Sequence, residues 1–460
     1  MLGSSGGKSG EQIAKSAVVS TTPAAVNPAQ RSRMARRVAG ASFVGTALES
    51  YDFYVFGTAA ALILNRVFFP SVDPLAGTLL AFLSLGMGFV ARPLGAVLFG
   101  HIGDRIGRKR SLIYTIVLMG VATGVIGLLP DYNAIGAWAP ILLVSLRLLQ
   151  GLAVGGEWGG AVLIASEHAE PKKRALYAAI PQIGSPVGTI MVTATFLILT
   201  QVSPEAMEAG VWRIPFLLAF PFMAVALYLR LAIDETPVFK DVAEHHQVAR
   251  VPVLEVLRTQ RAAVIIATSA ALLGIGSYFL MTTYTQAYGV SELGLSESTV
   301  LNAALVGSVL QLATIPAFGY LATKIGSAKV VAAGAACTLL ISFPLYYLIS
   351  IANQPVYILT ILIGGIFPTA AWAALGGLMA DLFPARTGFT AMSLAYSFAG
   401  ILAGFTPAVT QLFSNATGAA WWHPGAVLAL MSLITIGGAL AAGRMTRTRS
   451  QSGPTPVAAA

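Results

Sequence analysis

The chain has 460 residues, of which 56% are hydrophobic and only 10% are charged. Soluble domains carry about 25% charged residues, so this composition excludes a soluble globular protein and indicates an integral membrane protein. The formal net charge of +9 does not indicate nucleic-acid binding, because the basic residues cluster in short loops between apolar segments. The single cysteine, Cys337, excludes an internal disulfide and a cysteine-based metal site.

The apolar segments predict the domain organisation. Residues 1–36 are rich in Gly, Ser, Ala and Pro and lack the apolar core of a signal peptide, so they are predicted as a disordered cytoplasmic tail. Each later segment is long enough for the roughly 20 residues that a membrane helix needs. The first six run from about Val38–Phe68, Leu75–Phe99, Ser111–Leu129, Trp138–Ala165, Ala175–Thr200 and Trp212–Ile233, and six more begin near 261, 298, 329, 355, 387 and 424.

Loop charges indicate how these segments cross the membrane. Nearly all Lys and Arg fall in every second loop, as the positive-inside rule requires of twelve helices with both termini cytoplasmic. Residues 100–110 and 319–329 repeat one loop pattern in the two halves of the chain. The prediction is therefore an all-α membrane protein with a six-helix bundle at 37–233 and another at 260–443, the parallel-repeat architecture of a transporter. Residues 234–259 and 444–460 are predicted as a cytoplasmic linker and tail.

The stretch RLLQGLAVGGEWGGA, residues 147–161, places polar side chains within the fourth apolar segment. Arg147, Gln150 and Glu157 fall at i, i+3 and i+10, within one side of a helix. Charges in a membrane helix face a bundle interior or a water-filled cavity, and they mark a substrate or ion path. The glycines of this stretch predict close contact with neighbouring helices.

Other buried charges occur in the first two segments. Glu49 and Asp52 form an i, i+3 pair, and Arg92 precedes Pro93, where a helix can bend or break. With Glu157 there are three intramembrane acids against two arginines, so one carboxyl group lacks a full partner and should bind a proton. We predict proton coupling through Glu49, Asp52 and Glu157, with Glu49 or Asp52 as the proton site and Glu157 paired to an arginine.

Further polar and aromatic residues of the membrane segments are candidate substrate contacts. Arginine offers a bidentate fork for a carboxylate, which favours Arg92 or Arg147 as the contact for an acidic group. The full predicted set is Tyr51, Arg92, Arg147, Gln150, Trp158, Tyr278, Tyr284 and Gln286. The five histidines form no HExxH or similar cluster and no P-loop is present, so no metal, cofactor, ATP site or catalytic residue is predicted.

The loop between the second and third segments is a candidate cytoplasmic gate. Its glycines permit a tight turn, and Asp104 can pair with Arg108 or face a helix N-terminus in the other half. Such a contact would hold the cytoplasmic side closed in one state. The predicted gate comprises Gly100, Gly103, Asp104, Arg105, Gly107, Arg108 and Lys109.

This loop resembles the G-x-x-x-D-R-x-G-R-[RK] signature of the major facilitator superfamily. Glu49-Ser-Tyr-Asp-Phe53, Ala91–Gly95, Arg147–Ala161 and Asp234–Phe239 are similar to motifs of its metabolite:proton symporter family, which includes shikimate, α-ketoglutarate, citrate and proline/betaine carriers. Ser50 stands where that family usually has tryptophan. The resemblance implies a proton-coupled importer in the plasma (inner) membrane that works by alternating access.

Some alternatives stay open at this point. Gly184-Ser-Pro-Val-Gly188 faintly resembles a motif of drug antiporters, so a proton-driven exporter is the second reading. Shikimate-like acids, dicarboxylates and betaines all fit two arginines among acids and tyrosines. The expected partners are a small-molecule substrate, protons and the lipid bilayer; we expect a monomer that binds no nucleic acid. No nucleophile–base set or soluble output domain supports an enzyme or a sensor.

Overall fold

A computed structural model describes residues 28–106, 108–155, 158–159, 162, 165–166, 169–202, 207–231, 252–383, 385–418 and 420–451. Every regular element in this part of the chain is helical. Nine helices among the described residues are long and apolar enough to cross a membrane. Span 1 and the shorter apolar helices of spans 3 and 4, defined next, complete the predicted twelve.

The helices of the N-terminal half are named spans 1 to 6. Their bounds are Pro28–Leu62 (span 1), Pro74–Val90 and Arg92–Ile106 (span 2), Arg108–Ile126 (span 3), Trp138–Val154 (span 4), Arg174–Ala179 and Gly184–Val202 (span 5), and Arg213–Leu217 and Ala219–Leu231 (span 6). Short helical turns occupy Leu64–Phe68, Tyr132–Ile135, Pro171–Lys173, Pro181–Ile183 and Met207–Val211.

The C-terminal half follows a short helix at Pro252–Thr259. Its bounds are Arg261–Tyr278, Phe279–Tyr284 and Thr285–Ser291 (span 7), Glu297–Ile325 (span 8), Ser327–Ser350 (span 9), Gln354–Leu382 (span 10), Ala385–Gly404 and Thr406–Thr417 (span 11), and Trp422–Gln451 (span 12). The middle segment of span 7 is a π-helical turn.

The first and last helices of the chain extend beyond the apolar segments from which they were predicted. Span 1 begins at Pro28, inside the predicted N-terminal tail, and span 12 continues to Gln451, inside the predicted C-terminal tail. Hydropathy detects where a helix enters the membrane, whereas a helix can start earlier at a proline, whose missing N–H is not needed in the first turn. Residues 232–251 of the predicted linker lie outside the described part, and the division into domains stays a prediction.

Two helices break close to the predicted polar residues. Span 2 is interrupted at Ala91, beside Pro93, which confirms the predicted bend because proline cannot donate the backbone hydrogen bond. Span 4 ends at Val154 with Gly155 as its C-cap, whereas one helix was predicted to Ala165. A Cβ on Gly155 would lie 2.1 Å from the Arg92 carbonyl oxygen, so the chain turns where two backbones touch.

Glycines bring spans 2 and 4 into backbone contact, as predicted. A Cβ on Gly151 would lie 1.9 Å from the carbonyl oxygen of Gly88, and one on Gly95 would lie 2.0 Å from the carbonyl oxygen of Leu152. Such distances leave no room for any side chain. This backbone contact holds span 2, which carries Arg92, against span 4, which carries Arg147.

We expect Gly151→Ala to prevent normal assembly of the N-terminal half. The new methyl group would overlap the Gly88 backbone, which no rotamer change relieves, and overpacking of this kind costs about 1–3 kcal/mol or more. Thermal unfolding of the purified protein should show a clear fall in Tm, or too little folded protein to purify. Gly437→Ala is the matched control, because nothing lies within 4 Å of a Cβ there. Equal Tm values for the two variants would contradict the packing argument.

The two halves touch at both ends of the bundle. We call the end with loops 100–110 and 319–329 the basic-loop side, and the end with Asp73 and Glu297 the acidic-loop side. On the basic-loop side, a Cβ on Gly319 of span 8 would lie 2.6 Å from the Cβ of Ala179 in span 5. On the acidic-loop side, Arg66 forms an ion pair of 3.5 Å with Glu297. The interior between these contacts holds the candidate site.

Candidate functional site

A central cavity of about 110 Å³ lies between the halves. Spans 1, 2, 5, 7, 8, 10 and 11 and the segment after span 4 contribute to its wall. The polar and aromatic residues that line it include Glu49, Tyr54, Arg92, Trp158, Ser185, Tyr278, Gln286, Gln311, Trp372 and Tyr396. Five predicted residues, Glu49, Arg92, Trp158, Tyr278 and Gln286, are thus brought together at one cavity.

Arg92 is held in this wall by aromatic rings. Its guanidinium carbon lies 4.2 Å from the ring centroids of both Phe53 and Phe89, and 5.9 Å from that of Tyr396. Cation–π contacts of a desolvated guanidinium contribute on the order of 2 kcal/mol each, which offsets part of the cost of burial. Its Nε has no hydrogen-bond partner among the described residues. The arginine is therefore positioned in the cavity wall with donor capacity left over.

Two stacked aromatic pairs shape the cavity. Trp158 and Tyr396 stack with ring centroids 4.0 Å apart, and the Trp158 indole N–H donates to Gln182 at 3.0 Å. Tyr54 and Tyr278, one from each half, stack at 3.8 Å. Because these rings are packed against one another, they provide rigid apolar walls.

Two residues that line the cavity from the C-terminal half, Gln286 and Trp372, carry polar groups without partners in the described part of the structure. Gln286 is 1% exposed, and neither its amide nitrogen nor its amide oxygen has a hydrogen bond to a described residue. The indole N–H of Trp372 is also buried, and no described residue accepts from it. A buried unpaired polar atom costs about 1–3 kcal/mol, so such groups are expected where a ligand completes them.

Arg147 lies behind the cavity, in a chain of polar groups that reaches Asp52. It is fully buried, donates from Nη1 to Gln150 Oε1 at 2.8 Å and from Nη2 to the Leu85 carbonyl at 3.1 Å. Gln150 Nε2 in turn donates to the Thr123 hydroxyl, which faces the Asp52 carboxyl group. The predicted shared helix face of Arg147 and Gln150 is confirmed, but both residues lie outside the cavity wall.

Asp52 is 6% exposed and forms no ion pair of 4.0 Å or less with any residue that the structure describes. The Thr123 hydroxyl has one hydrogen and donates it to the Met119 carbonyl at 2.9 Å. In that arrangement Thr123 accepts from Gln150 and can accept from a protonated Asp52. An ionised Asp52 would instead require the hydroxyl to rotate and donate to it.

Two predicted substrate contacts lie away from the cavity. The Tyr51 hydroxyl donates to the Pro215 carbonyl at 2.7 Å, toward span 6. The Tyr284 hydroxyl is 3.0 Å from His423 Nε2, within the C-terminal half. Their hydroxyls are already used, so neither belongs to the binding set proposed below. Glu157 and the side chains of the gate at 100–109 lie outside the described residues.

Sequence reasoning missed several cavity residues. Phe53, Phe89, Ser185 and Tyr396 carry no charge, so the criterion of buried charge did not select them, although Phe53 and Phe89 lie close to Asp52 and Arg92 in the sequence.

Twelve apolar helices that bury arginines and carboxyl groups around a central cavity define a membrane transporter. The family model of the Major Facilitator Superfamily matches residues 42–407, and the chain belongs to that superfamily. It is a multi-pass membrane transporter and not an enzyme.

Similar proteins agree with this assignment. The chain is 36% identical to the inner membrane metabolite transport protein YhjE of Escherichia coli (80% of this chain, 84% of that protein) and 36% identical to its shikimate transporter (86% and 91%). It is 31% identical to the glycine betaine/proline/ectoine/pipecolic acid transporter OusA of Dickeya dadantii (81% and 76%). These relatives confirm the resemblance seen in the motifs.

Solved structures support the fold. The crystal structure of a D-xylose-proton symporter superposes with a TM-score of 0.67 over 86% of this chain and 96% of that one, at 18% sequence identity. This likeness confirms the predicted two-bundle, twelve-span architecture.

Proposed function

We propose that the chain is a proton-coupled importer, a symporter, of a small carboxylic acid that also carries a hydroxyl group. The observation that carries this proposal is the central cavity, which is lined by both Arg92 and Gln286, whose amide has no hydrogen-bond partner among the described residues. The chain works by alternating access in the inner membrane, as a monomer with both termini cytoplasmic. The shikimate transporter among the relatives supports a hydroxylated acid as the substrate.

Arg92 is the proposed contact for the substrate carboxylate. Because Phe53 and Phe89 pack against its guanidinium, the N–H edge remains for an acceptor in the cavity. A guanidinium edge matches the two oxygens of a carboxylate, which adds orientation to the charge attraction. Glu49 lines the same cavity, so a dianion would face more repulsion than a monocarboxylate does.

Gln286 is the proposed contact for the hydroxyl group. Its amide offers one donor group and one acceptor group, and a hydroxyl is the simplest group that can pair with both. A fully methylated betaine has no donor for the amide oxygen, which favours hydroxy acids over betaines. Sites that hydrogen-bond a substrate hydroxyl reject analogues without it strongly, because the buried partners are then left unpaired.

Asp52 is the proposed proton site. It is buried without an ion pair among the described residues, and its neighbour Thr123 is oriented to accept a hydrogen bond. An anion that enters a cavity beside Glu49 and Asp52 is opposed by their charge unless a proton enters with it. Glu49, which lines the cavity, is proposed as the acid through which this proton arrives.

Transport assays with purified protein in liposomes test this function. Under an inward proton gradient, labelled shikimate should accumulate inside, and a proton ionophore should abolish the accumulation. Glycine betaine and 2-oxoglutarate should accumulate at least tenfold less. Extrusion of substrate driven by the inward proton gradient would instead identify an antiporter and overturn the proposal.

Gln286→Leu should separate binding from folding. The leucine removes two polar atoms that have no partner in the described part of the chain and keeps a similar volume, so Tm should not fall. The KM for a hydroxylated acid should rise about tenfold or more, since each 1.4 kcal/mol of lost binding is a factor of ten. The KM for the same acid without its hydroxyl should change little. Gln411→Leu is the matched control, since that buried amide donates to Asn415 away from the cavity. An unchanged KM for the hydroxylated acid would remove Gln286 from the site.

A further inference from the structure

A second, smaller cavity of about 30 Å³ lies on the other side of span 1, between spans 1, 3 and 6. Its wall is apolar except for two carboxyl groups, those of Glu49 and Asp52. The other lining residues are Gly45, Leu48, Ile116, Met119, Gly120, Ala219, Phe222, Met223 and Ala226. Glu49 lines both cavities, whereas Asp52 lines only this one. The two acids therefore form a connection through span 1.

We propose that the second cavity is a water site that bridges the carboxyl groups of Glu49 and Asp52 and carries the proton between the substrate cavity and Asp52. This inference rests on the proposed proton coupling. A volume of about 30 Å³ exceeds the roughly 10–15 Å³ that one water requires, and the two carboxyl groups supply its hydrogen-bond partners. Residues at i and i+3 of a helix have Cβ atoms roughly 5–6 Å apart, a separation that one bridging water can span.

The transfer itself needs no other reactant. The O–H bond of a protonated Asp52 breaks as its proton passes to the water, and an O–H bond of the water breaks as a second proton passes to the Glu49 carboxylate. The water is unchanged, one proton has moved from Asp52 to Glu49, and nothing is oxidised or reduced. The reverse path loads Asp52 from the central cavity.

The surroundings of the two acids favour this path. Span 3 contributes the Thr123 hydroxyl beside Asp52, and span 4 contributes Arg147, which reaches Thr123 only through Gln150. Span 6 contributes apolar side chains to the cavity, and Arg92 lies with Glu49 at the central cavity. The path between the two acids therefore runs through the second cavity and meets the substrate cavity at Glu49.

Ala226→Leu tests the inference by filling the cavity. Ala224→Leu is the matched control, because Ala224 lies on the same helix but is exposed. Proton-driven uptake by Ala226→Leu should fall at least tenfold, while exchange of labelled for unlabelled substrate at equal pH should match the wild type. Ala219→Val, at a fully buried position in the same cavity, gives a second filling variant if Ala226→Leu does not fold.

Radiolytic footprinting measures the water directly. Hydroxyl radicals formed at bound water oxidise adjacent methionines, so Met119, which lines the cavity, should be oxidised faster in the wild type than in Ala226→Leu. Met379 and Met392, both fully buried in the C-terminal half, are internal references. The water site is wrong if Met119 of the wild-type protein is oxidised as slowly as Met379 and Met392. It is also wrong if a filling variant that folds takes up substrate under a proton gradient at the wild-type rate. A wild-type protein without proton-driven uptake would instead overturn the symport proposal and this inference with it.

Discussion

Asp52→Asn should abolish the accumulation of substrate against its gradient and leave substrate exchange intact. Asparagine keeps the size of the side chain and can still hydrogen-bond to Thr123, so the polar chain through Gln150 to Arg147 should survive. It cannot bind or release a proton, and the coupling of substrate to proton is lost. We expect accumulation under a proton gradient to fall to the equilibrium ratio, a loss of the whole gradient-driven component.

The measurement compares uptake with and without a proton gradient, and counterflow at equal pH, in the same liposomes. Asp131→Asn is the matched control, because Asp131 caps the short helix Tyr132–Ile135 and asparagine caps a helix equally well. That variant should accumulate substrate like the wild type. If Asp52→Asn accumulates substrate, Asp52 is not the proton site and Glu49→Gln becomes the decisive variant.

Arg92→Lys should lose most of the transport activity although the charge is retained. Lysine has no planar group to pack against Phe53 and Phe89, and it offers a point charge where a carboxylate needs a fork. We expect KM to rise on the order of a hundredfold, about 2.7 kcal/mol of binding, and Arg92→Gln to show no measurable uptake. Both proton-driven uptake and exchange should fall, unlike the pattern expected for Asp52→Asn.

Arg66→Lys serves as the control for this substitution. Arg66 is partly exposed on the acidic-loop side, and a lysine there can still form an ion pair with Glu297. Its uptake should match the wild type. If the KM of Arg92→Lys equals that of the wild type, the substrate carboxylate does not bind Arg92. The remaining candidate would be Arg147, which would have to move toward the cavity to contact the carboxylate.

The sequence was sufficient for the fold because membranes impose simple rules. Hydropathy and alternating loop charge predicted twelve spans, and the short distances at Gly88, Gly95 and Gly151 match the prediction of close glycine packing. Helix breaks were harder to predict. Pro93 signals its own break, but the end of span 4 at Gly155 follows from a backbone contact with span 2, which no local pattern records.

The site was predictable only in part. Buried charge identified Glu49, Arg92 and Asp52 because ionisable residues are rare in membrane helices. It did not show that Asp52 lies behind the cavity, since that depends on how span 1 is rotated between the two cavities. Nor did it show that Arg147 donates to Gln150 and the Leu85 carbonyl behind the cavity. The tyrosines were ambiguous for a similar reason. Tyr51 and Tyr54 are three residues apart, yet one contacts Pro215 and the other lines the cavity.

The π-helical turn at Phe279–Tyr284 gives span 7 one residue more than an α-helix of the same length needs. The Thr285 hydroxyl donates to the Leu280 carbonyl at 2.9 Å, so this carbonyl of the wide turn has a partner. Loss of one codon in this turn would remove the extra residue and restore α geometry, so the helix on either side would keep its rotation and Gln286 would stay in the cavity wall. During evolution, this turn can therefore gain or lose a residue while the cargo site beside it is kept.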